Sequence, residues 1–516
     1  MKHLLSIYTL LFGVAVLLFF GLVYPHHLHY QEQYQLFLFD STYIWEIVRL
    51  PGGIADLLGR FCTQFFLYAW VGAFIIAILL SLVQILTLHL AYSRTSPELQ
   101  ESMRNTGMTT EPNGGILYGL SFVPSFLLWL FLLDENALLG GAWAVLLTLL
   151  ASWGVEKLNG RVRRILLIAA IPVLYWMAGP VCVIFFLLQA PHPKRSIRYY
   201  GVFILMAFML VMLSNYLPVP ATKLWFGIHY HRYPTEIPVL LWAATLSVFF
   251  LMLIVRAFQR WTNASSHMIV TLCSFLLVAV SMGYLVWRNS NLKAEKVMQY
   301  DFMACHQQWN RILETINDKK PNNQIGVTVQ NLALAMHGML LDHMFEYNQN
   351  SIHGLLPDVK TDATSPMPTA EAFYHLGMIN VAQRTVFEAQ EAILDFQKSA
   401  RCYKRLAQTN LINGNYEVAR KYLMALQKTL FYREWANETL SLLGNEKAIA
   451  KHPEYGRLRQ SNYKEDFYFS DHVTPEMLES LYSRNTDNRM AYQYLLAYYL
   501  LTGDLESYNH IISQKR

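Results

Sequence analysis

The sequence has no Walker loop, no HExxH and no GxSxG. Nucleotide binding, zincin chemistry and serine-hydrolase chemistry therefore have no support. Cysteine is scarce. Cys62, Cys182, Cys273, Cys305 and Cys402 form no CxxC and no paired framework, so nothing marks a redox centre, a metal site or a cofactor. Charge is scarce too: 15% of the 516 residues are Asp, Glu, Lys or Arg, and the formal net charge is +5. The basic residues gather in short loops, which argues against nucleic acid as a partner.

What is abundant is apolar. The chain is 54% hydrophobic, and the apolar runs lie before Trp287. The expectation is an all-α protein: a polytopic transmembrane bundle over residues 1–287, then a soluble helical-repeat domain over 288–516. Spans are predicted at 1–24, 66–92, 116–133, 138–155, 199–217, 239–258 and 268–287. The first has no small-residue cleavage site, so it reads as an uncleaved span with its N-terminus inside. Residues 93–115 are polar and read as a cytoplasmic loop.

Residues 165–190 decide the topology. Read once, they make eight membrane segments; read as half-helices 165–177 and 180–190 meeting at Gly179-Pro180, they make about nine. Gly and Pro both break a helix, and each half is too short for about 30 Å of hydrocarbon. Both flanks are basic, with Lys157, Arg161, Arg163 and Arg164 before and Lys194, Arg195 and Arg198 after. That favours a broken pair with both flanks inside; Arg288, Lys293 and Lys296 argue the other way.

Two outer loops follow from this topology, 25–65 and 218–238. Both are aromatic. After Pro51-Gly52-Gly53, the residues Ile54, Leu57, Leu58, Phe61 and Phe65 share a helical face, with Asp56 and Arg60 on the other; this predicts a helix lying in the interface. Asp40, Glu32 and Glu46 are candidates for a general base acting on an acceptor hydroxyl, Asp40 foremost because it follows the apolar LFLF run. The alternative is that these acids only keep the loop in water. Lys223, His229, His231 and Arg232 could hold the phosphates of a lipid-linked donor; the alternative is an aromatic belt with snorkelling cations. His26, His27 and His29 are spaced too tightly for a zinc site and read as a solvated turn.

From Leu292 the pattern is helical and soluble. Residues 403–426 carry the marks of a tetratricopeptide repeat: Leu406 and Ala407 in a first helix, Gly414-Asn415-Tyr416 at the turn, Ala419 in a second. Residues 492–512 repeat this weakly around Gly503. Residues 300–316, with Trp309, read as a degenerate unit, 329–347 as a further helix, 357–369 as a linker, 370–397 as one long helical stretch and 452–475 as irregular. A helical solenoid is the expectation.

Several stretches carry a resemblance: EQYQLFLF at 32–39, RLPGGIADLLGRFCTQFF at 49–66, NLALAMHGMLLDHMFEYNQ at 331–349 and RLAQTNLINGNYEVARKYLMALQKTLFYREWA at 405–436. They resemble an uncharacterised family of bacterial polytopic membrane proteins with a tetratricopeptide-like tail. More distantly the layout is similar to type C glycosyltransferases, which have an acidic first outer loop and short broken helices with a Gly-Pro. The Asp-Glu pair often found early in that loop has no counterpart here. The resemblance implies a bacterial inner-membrane protein with a periplasmic tail. Its work would be envelope glycan or lipid assembly, as a transferase using a lipid-linked sugar, with membrane lipids around it. A second reading is a non-catalytic scaffold whose helical repeats bind a protein partner. A transporter is the weakest, because the spans lack buried charge.

Overall fold

Thirteen helices, α1–α13, carry the first half of the chain: Lys2–Leu18, Pro25–Gln33, Ser41–Val48, Gly53–Thr63, Ala69–Ser93, Ile116–Leu120, Val123–Phe131, Gly140–Glu156, Gly160–Ala178, Val183–Gln189, Ala221–Phe226, Val239–Ala257 and Met268–Asn289. The computed structural model describes residues 2–93, 116–158, 160–189, 268–358, 365–394, 397–462 and 475–514, and 201–257 apart from 202–203, 206, 209–210, 213–215 and 217–219. Among the described residues all regular structure is helical, beside one isolated bridge between Ala137 and His231. The chain forms two units, Met1–Glu32 with Asp40–Asn291, and Gln33–Phe39 with Leu292–Arg516.

In the first unit α1 packs on α5, α12 on α7, and α13 on α6. Its core is aromatic: Tyr8 stacks on Phe275 at 4.7 Å, and Phe12 meets Phe122, Phe126 and Trp129 edge-on at 5.0–6.0 Å. Several uncharged polar side chains inside it are hydrogen-bonded. Thr9 donates to Gln84 (3.0 Å), Gln84 to Ser121 (2.9 Å), and Ser125 to the Leu80 carbonyl (2.8 Å). Such bonds matter most where no water can replace them.

Among the described residues three helices are long and apolar enough to cross a membrane, Ala69–Tyr92, Gly160–Gln189 and Ile269–Asn289, or four if Ile7–Val23 and Pro25–Gln33, bent by 76°, make one span. That is fewer than the eight or nine segments predicted. The predicted hairpin 116–133/138–155 and the span at 239–258 appear as shorter apolar helices, Ile116–Phe131, Gly140–Glu156 and Val239–Ile254, below the roughly 20 residues that 30 Å of hydrocarbon needs. The predicted span 199–217 falls largely outside the described residues, as do the loop 93–115 and the cations Lys194, Arg195 and Arg198.

The run Gly160–Gln189 is not one rod. Gly179 has φ +59°, a left-handed conformation that only glycine adopts freely, and Pro180 follows it. Arg163 reaches Gln189 across the turn at 3.5 Å. A straight helix would hold two residues 26 positions apart at about 39 Å. The segment therefore folds back at Gly179-Pro180. Gln189 also donates to the Ser152 carbonyl of α8 (3.2 Å), which sets both arms against that helix.

Residues 25–65 hold three helices, not one. The face of α4 that packs against protein is the one of small residues, not the apolar face that the sequence assigns to the interface. Gly53, Ala55, Gly59 and Thr63 are buried, while Ile54, Leu57, Leu58 and Phe61 are partly or fully exposed. The small residues let α4 approach α8, and the large apolar ones point away.

The second unit is a run of helices, α14–α26: Leu292–Cys305, Trp309–Asp318, Gln324–Met336, Pro366–Leu376, Ile379–Glu391, Ala400–Asn413, Tyr416–Gln427, Arg433–Leu442, Glu446–Lys451, Tyr455–Ser461, Pro475–Arg484, Arg489–Thr502 and Leu505–Gln514. Consecutive members of α17–α21 and of α24–α26 pack on each other. Leu406, Ala407 and Ala419 are buried where α19 meets α20, and the turn between them is at Gly414. The stretch 370–397 is two helices rather than one, broken at Gly377, and the expected linker 357–369 ends in α17. Residues 452–462 are partly helical (α23) rather than irregular; 463–474 lie outside the described residues.

Gln33–Phe39 completes this unit. Leu36 N–H donates to the Lys398 carbonyl (2.9 Å), Phe39 N–H to the Lys428 carbonyl (2.7 Å), and the Gln33 amide oxygen accepts from Arg401 (3.1 Å). Gln33 through Leu38 are all buried.

Candidate functional site

The loops of the first unit meet where residues 134–139 join α7 to α8. Asp40 opens α3. Its carboxylate accepts from Thr42 N (3.0 Å), Tyr43 N (3.3 Å) and the Thr42 hydroxyl. That is an N-cap, satisfying backbone N–H groups the helix leaves open. Glu46 is exposed on α3, and Glu32 is buried near the end of α2.

After α3 the chain turns at Gly52, φ +78°. Gly52 N–H donates to the Trp176 carbonyl (2.8 Å), and the Trp176 indole donates to the Val48 carbonyl (3.1 Å). These bonds pin the turn to the far end of α9, beside the Gly179 fold-back. Only glycine fits at 52 for a second reason: a Cβ there would fall 2.5 Å from Nε2 of His229.

On α4, Arg60 grips Asp56 with both Nε (2.9 Å) and Nη2 (3.0 Å). The pair is largely buried. Burial pushes the Asp56 carboxyl up, but Arg60, helped by His229 and Lys223, wins and holds it below its usual value. Tyr43 also faces Arg60. His229 and Tyr230 complete the cluster, their rings 3.9 Å apart. Neither ring nitrogen of His229 nor the Tyr230 hydroxyl reaches a hydrogen-bond partner among the described residues; His229 feels the Lys223 carbonyl without reaching that geometry. Burial, with the Lys223 charge, pushes the His229 imidazole down to about 3. It is neutral at physiological pH. Burial and the Asp56 charge raise the Tyr230 phenol well above its ordinary value.

His231 and Arg232 belong to a separate patch. His231 Nε2 meets Asp134 at 3.1 Å, and Arg232 donates to the Tyr30 hydroxyl (2.9 Å) and, by its backbone, to the Asn136 carbonyl (2.8 Å). Burial works against the His231 imidazolium, but Asp134 outweighs it and the net shift is upward. His27 and His29 meet the carbonyls of Leu132 and Phe66, each at 3.0 Å, and so tie α2 to its neighbours. Among the described residues no group of three or more His, Cys, Asp or Glu could hold a metal ion.

Of the residues singled out in the sequence, the fold thus brings Lys223 and His229 together and sets His231 and Arg232 apart. The carboxylate beside His229 is Asp56, in place of Asp40, Glu32 or Glu46. Asp56, Arg60, Tyr43 and Tyr230 had been overlooked as site residues. The signal was there: an Asp and an Arg one helical turn apart, directly after Pro-Gly-Gly, in an otherwise apolar stretch.

The sequence profile of a family of unknown function, DUF6057, matches residues 1–515. The chain belongs to that family. No curated protein and no solved structure matches it. Membership in DUF6057 therefore carries no activity, and the argument for one rests on the cluster itself.

Proposed function

We propose that this is an integral protein of a bacterial inner membrane and that it transfers a sugar from a lipid-linked donor in envelope assembly. The observation that supports this reading is the pair His229 and Tyr230, buried and without side-chain hydrogen-bond partners among the described residues, beside Asp56, Arg60 and Lys223. Burying polar groups unpaired is costly, and such costs concentrate at functional sites. In this reading Arg60 and Lys223 hold the donor's phosphate. The acceptor hydroxyl attacks the anomeric carbon, the bond from that carbon to the phosphate oxygen breaks with its electron pair staying on the phosphate, and His229 takes the hydroxyl proton. The arriving phosphate charge raises the basicity of His229. The layout then resembles type C glycosyltransferases with an imidazole where a carboxylate base was expected.

The membrane setting is supported by the surface of the first unit. Ile269, Leu277 and Val280 are 70–73% exposed on α13, and patches of that kind suit lipid. A tail on the same side as the loop after the first helix is supported by Gln33–Phe39, which belongs to the second unit. An even number of crossings then separates them. Of the helices long and apolar enough to cross, Ala69–Tyr92 and Ile269–Asn289 make two such crossings, with the fold-back of Gly160–Gln189 adding none. With the N-terminus inside, the tail is periplasmic, and its helical hairpins are of the tetratricopeptide kind.

The test is complementation of a deletion strain whose envelope glycans and lipids have been profiled. His229→Ala should abolish complementation at unchanged protein level. Asp40→Asn should complement fully, because Asn caps as well as Asp. Full complementation by His229→Ala sinks the transferase. A second reading, a scaffold that positions a protein partner, is favoured by one observation: Asp40, His231 and Arg232 are all held in structural hydrogen bonds. A scaffold would tolerate His229→Ala and fail without the helical tail.

A further inference from the structure

The second unit carries a pocket of about 190 Å³ lined by residues that include Arg401, Lys404, Arg405, Gln408, Trp435 and Glu454. Three features of its wall point to a ligand. The first is the state of its arginines, both under 7% exposed. Arg401 forks onto Asp301 through Nη1 and Nη2 (Nη2 to Oδ1, 2.8 Å) and reaches Glu371 at 3.2 Å. Arg405 is fixed by Glu371 through Nη2 and lies 3.6 Å over the Tyr374 ring. Yet Nη1 of Arg405 and Nε of Arg401 are buried and have no acceptor among the described residues. Guanidinium donors left open in this way are costly unless something else accepts from them.

The second feature is the free cation at the rim. Among the described residues Lys404 makes no ion pair; its ammonium sits 5.1 Å from the Trp435 ring. Asp301 and Glu371 balance the two arginines, and Glu454 offsets Lys404 over the pocket as a whole, so the positive charge that an anion would meet is local to the Lys404 end of the wall. The third is the body of the pocket. Trp435 offers a flat apolar face, while Gln408, Gln307 and the Glu454 carboxylate offer acceptors for hydroxyl groups. Glu454 keeps one oxygen on the Tyr374 hydroxyl (2.7 Å). An anion at one end, a ring face and several hydroxyl acceptors describe a single acidic sugar, and the volume is roughly that of one hexose.

We propose that this pocket binds one acidic sugar unit, its carboxylate or phosphate held by Arg405 Nη1 and Lys404 and its ring against Trp435. The site is independent of the His229 cluster and stands whether or not that cluster is catalytic. The uronate and the sugar phosphate share this chemistry, and the probes separate them.

The test uses the full chain in detergent, titrated calorimetrically with glucuronate, glucose 6-phosphate and, as the neutral control, glucose. At least one acid should bind roughly tenfold or more tightly than glucose, as expected for one charge-assisted contact, and should weaken as salt rises. Saturation by glucuronate alone assigns a carboxylate ligand; by glucose 6-phosphate alone, a phosphate. Lys404→Ala and Trp435→Ala, neither a buried charge, should each weaken the preferred acid by about tenfold while leaving the circular dichroism spectrum unchanged. The proposal is overturned if neither acid outbinds glucose, or if both variants bind as the wild type does.

Discussion

The two units bury polarity in opposite ways. In the first, the bundle interior holds hydroxyls and amides: Thr9 bonds to Gln84 and Gln84 to Ser121, while Ser125 bonds to the Leu80 carbonyl, and large apolar side chains also face outward. In the second, Glu371 is 1% exposed between Arg401 and Arg405, and the surface is polar. One chain thus follows two rules for what may be inside. On the membrane reading proposed above, lipid around the first unit removes the gain from hiding apolar groups, and neutral hydrogen bonds and close contacts order its interior. The second unit encloses charge where counter-charges come with it. The Asp56–Arg60 pair beside His229, with buried Glu32 and Arg232, departs from the first unit's pattern.

Three experiments press on this contrast. The largest effect belongs to the boundary of the second unit. Expressed as Leu292–Arg516 alone, it lacks Gln33–Phe39 and leaves the groove by Lys398 and Lys428 open. The fragment should be insoluble or poorly folded by circular dichroism, and a fragment with Gln33–Phe39 fused through a flexible linker should be soluble and helical. A well-folded fragment without the segment would mean the unit's core closes by itself. Next, Glu371→Gln removes the carboxylate between two buried guanidinium groups. The cost should be about 3–5 kcal/mol in urea unfolding of the second unit, the range for breaking a buried pair from one side; a change under 1 kcal/mol would show that the arginines find other partners.

The smallest effect is the pH dependence that His375 contributes to the second unit. Burial pushes the His375 imidazole down to about 4, although Glu371 opposes it. Its folded value lies below its unfolded value of about 6.5, so the stability is present above pH 6.5 and is lost as pH falls toward 4. At pH 5.5 the loss relative to pH 8 should be about 1.4 kcal/mol. Trp309, whose ring is 5.1 Å from His375, provides the fluorescence signal for the melt. A His375→Gln variant that keeps the same slope would assign the dependence elsewhere.

Much of the local architecture was legible. The Gly179-Pro180 break, the Gly414 turn and the placement of Ala407 and Ala419 at a helix–helix contact all follow from short-range chemistry, and short-range chemistry is what a sequence exposes directly. That α4 packs through its small residues was not legible, because periodicity marks the apolar side, which the sequence assigned to the interface, and does not say which glycines meet a neighbouring helix. The Asp40 cap was hidden by the search for catalytic acids, although Asp followed by Ser-Thr before an apolar run is itself a helix-start signal. Glu371, Arg401 and Arg405 could not be joined from the sequence, since nothing local links position 371 to position 405. The Gly377 break was overlooked in a stretch otherwise rich in helix formers.

The segment Gln33–Phe39 has a consequence for biosynthesis. Its partner Arg401 lies 368 positions away, and the ribosome makes the two ends of that contact at very different times. Residues 33–39 are made first and then wait while every intervening segment is made. Until the chain has grown past Lys428, the second unit lacks part of its core and the waiting segment lacks its partners. Contacts of such sequence separation are slow to form, and exposed apolar intermediates of this kind are prone to aggregate. The second unit is therefore assembled from the oldest and the youngest parts of the chain, and its completion reports that everything between them has been placed.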